Sequence, residues 1–492
     1  MRVRRSVFAH VVLAGLVTAC SSSSDGTGPM QNPIASISLV ANDSSISVGA
    51  SAQLTAVAHD SAGATIGSAH ITFSSSSSAI AQVSASGAVT GAGAGSAWLS
   101  AGAGSVKDSV AIIVSDTITP PDSDTLVANV VRVGPTRTYK TPCAAIAVAH
   151  ANDVIEIDAA TYSGDVCVIA TSGLTLRGVG GRPKLDAAGH SAEGKAIWVI
   201  RNPSTTIENI EFANAVVTDN NGAGIRHERG NLTIRHCYFD HNQDGILTGA
   251  DSTSDVVIEY SEFAFSGNTP TPGQEHNMYI GAIHSFTLRG SYSHDVTEGN
   301  LVKSRARTNY ILYNRITGEG GTDSYELDLP NGGRSYVIGN IIEQGPSSPN
   351  HSIIEYGAEG IPSGRATDLF VVNNTIVNDA SAGTFVFVSG SVTTPVTLRN
   401  NIFAGPGTIS TQASAVLDAN TTAADGDPKF VNRSAYDYRL LSGSPAIDHG
   451  GAPGSAFGVS LVPTLQYVHP TSTVSRATAG SAIDRGAYEL VP

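Results

Sequence analysis

The chain has 492 residues, of which only 14% are charged and 52 are glycine, and its formal net charge is −14. The abundance of Gly, Ser, Thr, Ala and Val favours turn-rich β structure over long helices. The acidic balance argues against a nucleic acid as partner. An anionic sugar polymer stays open, because a local basic cluster can outweigh a diffuse acidic background.

Residues 1–19 predict an export signal, with a positively charged start and an apolar run at 7–17 that is too short to span a membrane. The run ends in Val17-Thr18-Ala19-Cys20, which resembles the lipobox of bacterial lipoproteins. The resemblance implies that Cys20 is lipidated, and a plain secretory signal is the alternative. Residues 20–32 predict a flexible Ser/Gly-rich tether. We therefore expect an exported protein, lipid-anchored to the cell envelope at the outer membrane or cell surface.

Residues 33–114 contain short segments in which apolar and polar residues alternate, separated by Gly, Ser, Asn and Asp. This period of two predicts a small antiparallel β-sandwich. Segments 48–56, 71–76, 81–84 and 87–91 resemble the bacterial Ig-like domain of group 2. The resemblance implies a spacer or an adhesive unit, and spacer is the default because the module has no cluster of His, Asp or Glu. Residues 115–125, with two prolines, predict a linker.

Residues 126–425 contain an internal repeat, a short strand of the form apolar-x-Asn-x-apolar at intervals of 24 to 34 residues. Such spacing is that of a parallel β-helix, whose coils bury apolar side chains only by stacking on each other. A leucine-rich repeat is excluded because its Leu-x-x-Leu-x-Leu frame is absent. We predict an all-β chain in which a right-handed parallel β-helix follows the Ig-like sandwich. The third positions of the repeat predict a stacked amide ladder of Asn209, Asn314, Asn340, Asn374 and Asn400.

Both ends of the repeat region fit this fold. Residues 142–152 predict a short amphipathic helix that caps the first coil. Residues 426–492 resemble the C-terminal segment of secreted bacterial β-helix proteins of the pectate-lyase-like superfamily, and we interpret them as a closing segment. Export permits a disulfide, and Cys143 with Cys167 is the pair most easily closed, although free buried thiols are an equal alternative.

A second strand in each coil predicts one polar wall along the β-helix. Tyr279, Lys303 and Leu327 are each 24 residues apart, so we expect them to stack about one strand spacing, ~4.8 Å, apart. The wall holds more ionisable groups than a solvated sheet needs, and such crowding shifts pKa values. Its candidate substrate-binding residues are Arg226, His227, His276, Tyr279, Arg307, Glu326, Asp328, Glu355 and Tyr356.

Residues 298–314 resemble the Glu…Lys-Ser…Asn…Asn stretch of the β-helical polysaccharide lyases that include alginate lyase and chondroitinase B. The resemblance implies that Lys303 removes the proton α to a uronate carboxylate and that Glu298 is a candidate Ca²⁺ ligand. The arginine that this family carries in its next coil is absent, since residues 328–333 read Asp-Leu-Pro-Asn-Gly-Gly. Arg305 or Tyr325 is therefore the expected acid.

The leading hypothesis is a monomeric, carbohydrate-active protein that acts on an anionic, uronic-acid-containing polysaccharide as a lyase or epimerase. Two alternatives stay open: a non-catalytic glycan-binding or adhesion protein, and a glycoside hydrolase with paired carboxylates among Glu326, Asp328 and Glu355. The candidate site residues also have structural interpretations. Lys303 could form a salt bridge with Glu326 or Asp328, and Tyr279 and Tyr356 could be ordinary outward residues rather than platforms for sugar rings.

Overall fold

The computed structural model describes residues 33–490, apart from 42–44, 50, 61–63, 94, 105, 116–128 and 268–273. The predicted signal segment 1–19, the lipidation site Cys20, the tether 20–32 and nearly all of the linker 115–125 lie outside the described residues. The chain divides at residue 125 into two compact units, and each is described by itself. Within the described ranges, no helix is long and apolar enough to cross a membrane.

The first unit is a β-sandwich, as the alternating pattern predicts. In the strand Ser51–His59, Ala52, Leu54 and Ala58 are buried and the residues between them are more exposed. Because successive side chains of a strand point to opposite faces, this strand covers the core with one face only. One sheet contains Ser36–Ala41, Ser51–His59, Ala88–Gly91 and Ala81–Val83, and the other contains Ser45–Ser47, Val106–Ser115, Gly95–Ala103 and Thr72–Ser75.

The second unit is a parallel β-helix, in which the coils contribute short strands to three parallel sheets that we name A, B and C. Sheet A has 12 strands: Val130–Val133, Val154–Asp158, Leu174–Val179, Ser204–Glu208, Asn231–Arg235, Asp255–Glu259, Ser285–Arg289, Thr308–Leu312, Arg334–Ile338, Leu369–Val372, Thr397–Arg399 and Val416–Asp418. Sheet B has 10 strands: Thr161–Ser163, Lys184–Asp186, Glu211–Ala213, Tyr238–Asp240, Glu262–Ala264, Tyr292–His294, Arg315–Thr317, Ile341–Gln344, Thr375–Asn378 and Ile402–Ala404. Sheet C also has 10: Cys167–Ile169, Ala196–Ile200, Ala223–His227, Asp244–Thr248, Met278–Ile280, Val302–Ser304, Leu327–Leu329, Ser352–Tyr356, Thr384–Val388 and Thr408–Ser410.

The core of the β-helix is built from like residues in neighbouring coils. Phe212, Phe239 and Phe263 of sheet B stack inside it, with ring centroids 5.1 and 4.3 Å apart. Each ring covers the next, so a coil completes its packing only when its neighbours are present. Because neighbouring coils pack on each other through like residues, the repeat appears in the sequence as a regular spacing of similar residues and not as one local motif.

A buried amide ladder runs along one turn, but its members differ from two of those predicted. The side-chain amides of Asn314, Asn340 and Asn374 each donate to the next asparagine in the series, at 2.9 to 3.0 Å. Asn401 and Asn420 continue the ladder, at 3.1 Å from each other. The predicted members Asn209 and Asn400 are wrong: both have left-handed backbones, with φ of 55° and 56°, and occupy the position just before the ladder. Short polar side chains tolerate that conformation, which is why asparagine is also common there.

The N-terminal coil is capped by the predicted helix, which is shorter than expected and covers Pro142–Ile146. Ala145 and Ile146 pack on the first strands of sheet A and belong to the main core. A disulfide joins Cys143 of this helix to Cys167 of the first sheet C strand, with the Cα atoms 5.8 Å apart. Cys237 is a buried free thiol.

The C-terminal segment packs along the side of the β-helix rather than over its last coil. Tyr438, Leu440 and Tyr467 cover Ile341 and Val377 of sheet B. The last strand of sheet A stays uncovered, with Val416 46% and Leu417 52% exposed. The predicted closing segment therefore covers the side of the β-helix at sheet B and not its last coil. The segment forms three hairpins, Phe430–Asn432 with Asp437–Leu440, Ser455–Ala456 with Val459–Ser460, and Leu465–Val468 with Ser472–Ser475, and one 3₁₀ turn, Arg433–Ala435. A second 3₁₀ turn, Ala423–Asp425, directly precedes the segment.

Candidate functional site

The outward positions of sheet C form one column of side chains parallel to the axis of the β-helix. Tyr279 and Lys303 are paired in adjacent coils, as predicted. The next member is Asp328 and not Leu327, which faces the core. Alternation along each strand accounts for this, because neighbours of an outward residue point inward. In coil order the column is Val199, Arg226, Leu247, Tyr279, Lys303, Asp328, Glu355 and Phe387.

Lys303 is held between two carboxylates. Its Nζ lies 2.8 Å from Asp328 Oδ2 and 2.8 Å from Glu359 Oε1, and the residue is only 8% exposed. Burial disfavours the ammonium, but the charges and hydrogen bonds of Asp328 and Glu359 outweigh it and raise the pKa of Lys303 above its usual value. A base must be deprotonated to accept a proton. The predicted role of Lys303 as the base therefore does not fit this site, whereas its alternative salt bridge to Asp328 is present.

Arg305 and Lys303 together bind the carboxylate of Glu359, and we name these two cations the clamp. Its Nη2 donates to Glu359 Oε2 at 2.6 Å, its Nη1 to Asn331 Oδ1 at 2.5 Å and its Nε to Tyr279 Oη at 2.8 Å. Burial opposes ionisation of Glu359, but the hydrogen bonds from Lys303 and Arg305 outweigh it and lower the pKa of that carboxyl. Two cations thus bind the two oxygens of one carboxylate, a geometry that charge-assisted hydrogen bonds favour.

Asp328 and Glu355 form a buried carboxyl pair beside this clamp. Burial, together with the hydrogen bond to Asp328 and its charge, raises the pKa of Glu355 to about 9. Asp328 Oδ2 accepts from Asn300 Nδ2 at 2.7 Å and from Lys303. Within the described part of the chain, Asp328 Oδ1 and Glu355 Oε2 are buried without a hydrogen-bond partner. The pair is almost inaccessible, which does not suit the paired carboxylates of a glycoside hydrolase.

Three predicted substrate-binding residues are inside the protein and do not contact this face. His227 is 1% exposed, and burial lowers its pKa to about 4. Tyr356 is fully buried and donates from Oη to the Gly333 carbonyl at 2.7 Å. Glu326 is fully buried, and burial followed by the neighbouring Asp323 raises its pKa well above the usual value. The prediction that these residues contact a substrate is wrong. Alternation along the strand places His227 and Tyr356 inside, and the turn before the strand places Glu326 inside.

Other predicted residues lie around the clamp. His276 is buried below it and accepts from the Asn300 backbone at 2.9 Å through Nδ1. Burial, and then the positive charges of Lys303 and Arg305, lower the pKa of His276 to about 3, so it is neutral. Tyr325 is half-buried and its backbone N–H donates to Asn300 Oδ1 at 3.3 Å. Arg307 is exposed, and it is not among the residues that line the groove beside the clamp.

A groove of about 590 Å³ adjoins the clamp and continues along sheet C toward the N-terminal coils. Its charged lining consists of Arg226, Asp219, Lys195, which pairs with Glu228 at 2.7 Å, and Arg305, which pairs with Glu359 at 2.6 Å. Leu247 and the Tyr279 ring provide an apolar surface. Within the part of the chain that the structure describes, Arg226 Nε is buried without a hydrogen-bond partner. A concave surface that combines apolar area with a few convergent charges is typical of a ligand site.

The residues of this face do not form a calcium site. Calcium prefers six to eight oxygen ligands, and the carboxylates of the clamp are already neutralised by Lys303 and Arg305. The predicted ligand Glu298 is half-buried, and it belongs to no group of three potential ligands within the described ranges. His294, Asp295 and Glu319 do form such a group on the side of sheet B. There, Glu319 Oε1 already accepts three hydrogen bonds, from Tyr292, Arg315 and Thr317.

Glu359, Asn300 and Asn331 are site residues that the sequence interpretation missed. Glu359 lies in the loop after the sheet C strand Ser352–Tyr356, so it takes part in no repeat and gave no periodic signal. Asn300 precedes the strand Val302–Ser304 inside the segment that resembles the lyases. The available signal for Glu359 was its place in a polar loop directly after a residue of the column, Glu355.

A comparison with known proteins confirms the first predicted module. Residues 33–114 match the family model of the bacterial Ig-like domain (group 2), which confirms that resemblance. Pectate lyase Pel9A is similar in structure, with 14% identity, a TM-score of 0.49, and coverage of 73% of this chain and 96% of the lyase. The pectin methylesterase of Aspergillus niger has 13% identity and a TM-score of 0.29, over 62% of this chain and 89% of the esterase. No curated protein sequence matches the chain.

A further structure, a pectin methylesterase mutant in complex with a hexasaccharide, has 11% identity and a TM-score of 0.29, over 64% of this chain and 98% of that one. At such identities and TM-scores these likenesses carry no argument about this chain. The chemistry of the face has to be argued from its own side chains.

Proposed function

We propose that this protein is a carbohydrate-active β-helix protein that binds an anionic, uronic-acid-containing polysaccharide along sheet C. We further propose that it removes the proton α to the uronate carboxylate, as a lyase or an epimerase. The observation that carries the proposal is the clamp of Lys303 and Arg305, which binds both oxygens of a carboxylate, that of Glu359, at 2.8 and 2.6 Å. Two cations that bind the Glu359 carboxylate in this way can bind the carboxylate of a uronate residue with the same geometry.

Neutralising the substrate carboxylate is the step that makes the reaction feasible. Removal of the α proton places additional negative charge on the carboxylate, and fixed cations aimed at that charge stabilise the transition state. In this proposal Lys303 and Arg305 supply that stabilisation from this chain alone. Ca²⁺, which the resemblance to the lyases implied, therefore has no step in the mechanism.

Tyr279 is the residue that we assign to proton transfer. Its Oη accepts from Arg305 Nε at 2.8 Å, and the same guanidinium donates to the Glu359 carboxylate through Nη2. Tyr279 is therefore next to the position that the substrate carboxylate would take. The ring lines the groove, where a sugar would lie. The phenol oxygen is therefore within reach of both the clamp and the groove, as a general acid–base group needs to be. To accept the α proton it has to act as the phenolate, which the Arg305 guanidinium that donates to it would stabilise. This assignment replaces the predicted roles of Lys303 as base and of Arg305 or Tyr325 as acid.

The groove explains why the ligand is proposed to be a polymer. Arg226 is three coils before Lys303 in the column, which corresponds to about 14 Å at the usual strand spacing. A ligand that contacts both cations must extend along the axis of the β-helix. We also propose that the chain is exported and anchored to the cell envelope through Cys20, which rests on the lipobox-like sequence.

Solvent-deuterium exchange tests the proposed reaction. The full chain is incubated in D₂O with polymers of galacturonate, mannuronate or glucuronate, while NMR follows deuterium at the α carbon and ultraviolet absorbance follows unsaturated uronate. We expect either exchange or unsaturated product with at least one polymer, and the loss of that signal but not of binding in Tyr279→Phe. Tyr310→Phe is the matched control, since Tyr310 lies on sheet A and stacks on Tyr336.

Two results would contradict the proposal. Undiminished exchange in Tyr279→Phe would remove Tyr279 from the reaction. Binding of a uronate polymer with neither deuterium exchange nor unsaturated product would identify a non-catalytic glycan-binding protein, the main alternative.

A further inference from the structure

The loop that carries Glu359 lies over the clamp as a strap, which we define as residues 357–366. Backbone hydrogen bonds fix its first half to the preceding coil, from Gly357 N to Leu329 O and from Glu359 N to Pro330 O, both 3.0 Å. Its second half contacts the clamp through Arg365 Nη1, which donates to the Arg305 carbonyl at 3.0 Å. The strap therefore positions Glu359 from both sides.

Lys303, Arg305, Asp328 and Glu359 form one ion-pair network, and the side chain of Glu359 is its most accessible part. It is 45% exposed, against 11% for the side chain of Lys303 and 20% for that of Arg305. Glu359 can regain water by rotating outward, whereas the two cations stay where the fold holds them. Departure of Glu359 thus opens the clamp without unfolding any strand.

The charges of the network change when Glu359 leaves. Lys303 and Arg305 together carry two positive charges, Asp328 carries one negative charge, and Glu355 keeps its proton because burial and Asp328 raise its pKa to about 9. With Glu359 in place the network is neutral. Without it, one positive charge is left in a partly buried site, which is costly unless another anion arrives.

We propose that Glu359 is an internal competitor for the ligand, so that binding is the exchange of one carboxylate for another. This inference rests on the proposed function, because it takes the clamp as the subsite for a uronate carboxylate. The apparent affinity is then the intrinsic affinity reduced by the fraction of molecules in which the clamp is open. The strap holds the site closed until a uronate carboxylate replaces Glu359.

The test compares Glu359→Gln with the unmodified full chain by calorimetric titration of a galacturonate hexamer and a mannuronate hexamer, with a glucose hexamer as the neutral probe. Gln keeps the shape of the side chain but removes its charge. We expect the variant to bind a uronate hexamer about tenfold more tightly, since no internal ion pair has to be broken. We also expect its affinity to fall more steeply with salt, because ion pairs are then gained rather than exchanged.

Glu156→Gln is the matched control. Glu156 also joins two cations, Arg132 and Arg177 at 3.1 and 2.7 Å, but on sheet A, far from the groove. Its affinity for the hexamers should equal that of the unmodified chain. Glu359→Ala, which also removes the side-chain amide, should behave like Glu359→Gln.

The outcomes separate the inference from the proposed function. Equal or weaker uronate binding in both Glu359 variants, with binding by the unmodified chain intact, would overturn the competitor role and leave the proposed function standing. Absence of uronate binding in all of these proteins would overturn both.

Discussion

Asp328 and Glu355 occupy the same outward position in adjacent coils of sheet C, and burial together with Asp328 raises the pKa of Glu355 to about 9. The parallel register brings the two side chains together, since each is the Cα partner of the other. With its proton retained, Glu355 leaves Asp328 as the counter-ion of Lys303. The pair therefore governs the charge of the clamp without touching solvent.

Glu355 should make the stability of the protein depend on pH. Its pKa is about 9 in the folded state, above the usual value of 4.5, so its contribution is complete below about pH 4.5 and is lost as the pH rises through 9. Urea unfolding of Glu355→Gln and of the unmodified chain should therefore show a difference that grows with pH. We expect the variant to gain at least about 1 kcal/mol relative to the unmodified chain between about pH 5 and about pH 9. A difference that is constant over this range would contradict the raised pKa of Glu355.

Lys303→Met should destabilise the protein by about 3 kcal/mol, because it leaves the Asp328 carboxylate buried without a cation. The double variant Lys303→Met/Asp328→Asn should recover part of this loss, which a double-mutant cycle from urea unfolding measures. Lys184→Met is the control. Lys184 pairs with Glu211 at 2.8 Å on the outside of sheet B and is more exposed, so its loss should cost less than about 1 kcal/mol. Similar costs for both lysines would show that Lys303 is only a surface ion pair.

Asn374→Ala tests the amide ladder. Asn374 Oδ1 accepts both the backbone N–H and the side-chain amide of Asn340, and its own amide donates to the Val337 carbonyl at 2.8 Å. The change leaves several fully buried polar groups without partners, at a cost of about 2–4 kcal/mol in the free energy of unfolding. Asn209→Gly, outside the ladder, keeps the left-handed backbone accessible and should cost less than about 1 kcal/mol. Equal effects in chemical denaturation would contradict the assigned ladder.

Chelation of divalent cations should leave uronate binding and deuterium exchange unchanged. Lys303 and Arg305 provide the positive charge that a metal would otherwise bring to the substrate carboxylate. The measurement is the titration with a uronate hexamer, with a chelator and with added Ca²⁺. A loss of binding on chelation that Ca²⁺ restores would reinstate calcium as a component of the site.

Cys20→Ser should release the protein from the membrane fraction of the producing cell. The thiol of Cys20 is the predicted attachment point of the lipid, and serine has the same size without that thiol. Metabolic labelling with a fatty acid should mark the unmodified chain and not the variant. Cys237→Ser is the control, since that thiol is buried in the β-helix. Labelled fatty acid in Cys20→Ser would mean that another residue carries the anchor.

The sequence by itself determined the architecture, because the signals for it are local and repeated. Alternation in 33–114 indicated a sandwich, and the recurring coil indicated the parallel β-helix, since stacked coils demand like residues at like positions. The pairing of Tyr279 with Lys303 also followed from spacing alone. The same reasoning erred by one residue at Leu327 and at Asn400, because a left-handed turn residue or a change in loop length shifts the register without changing the pattern.

Only the tertiary structure decided which polar residues share the site. His227 and Tyr356 have the same composition signal as the column but point inward, since parity along a short strand reverses with a shift of one residue, whereas Glu326 is buried because it lies in the turn before its strand. Glu359 reaches Lys303 across 56 positions of the chain, from a loop without any repeat. Such a contact depends on where the strap returns to the surface, and that is set by packing between coils rather than by any local preference of the chain.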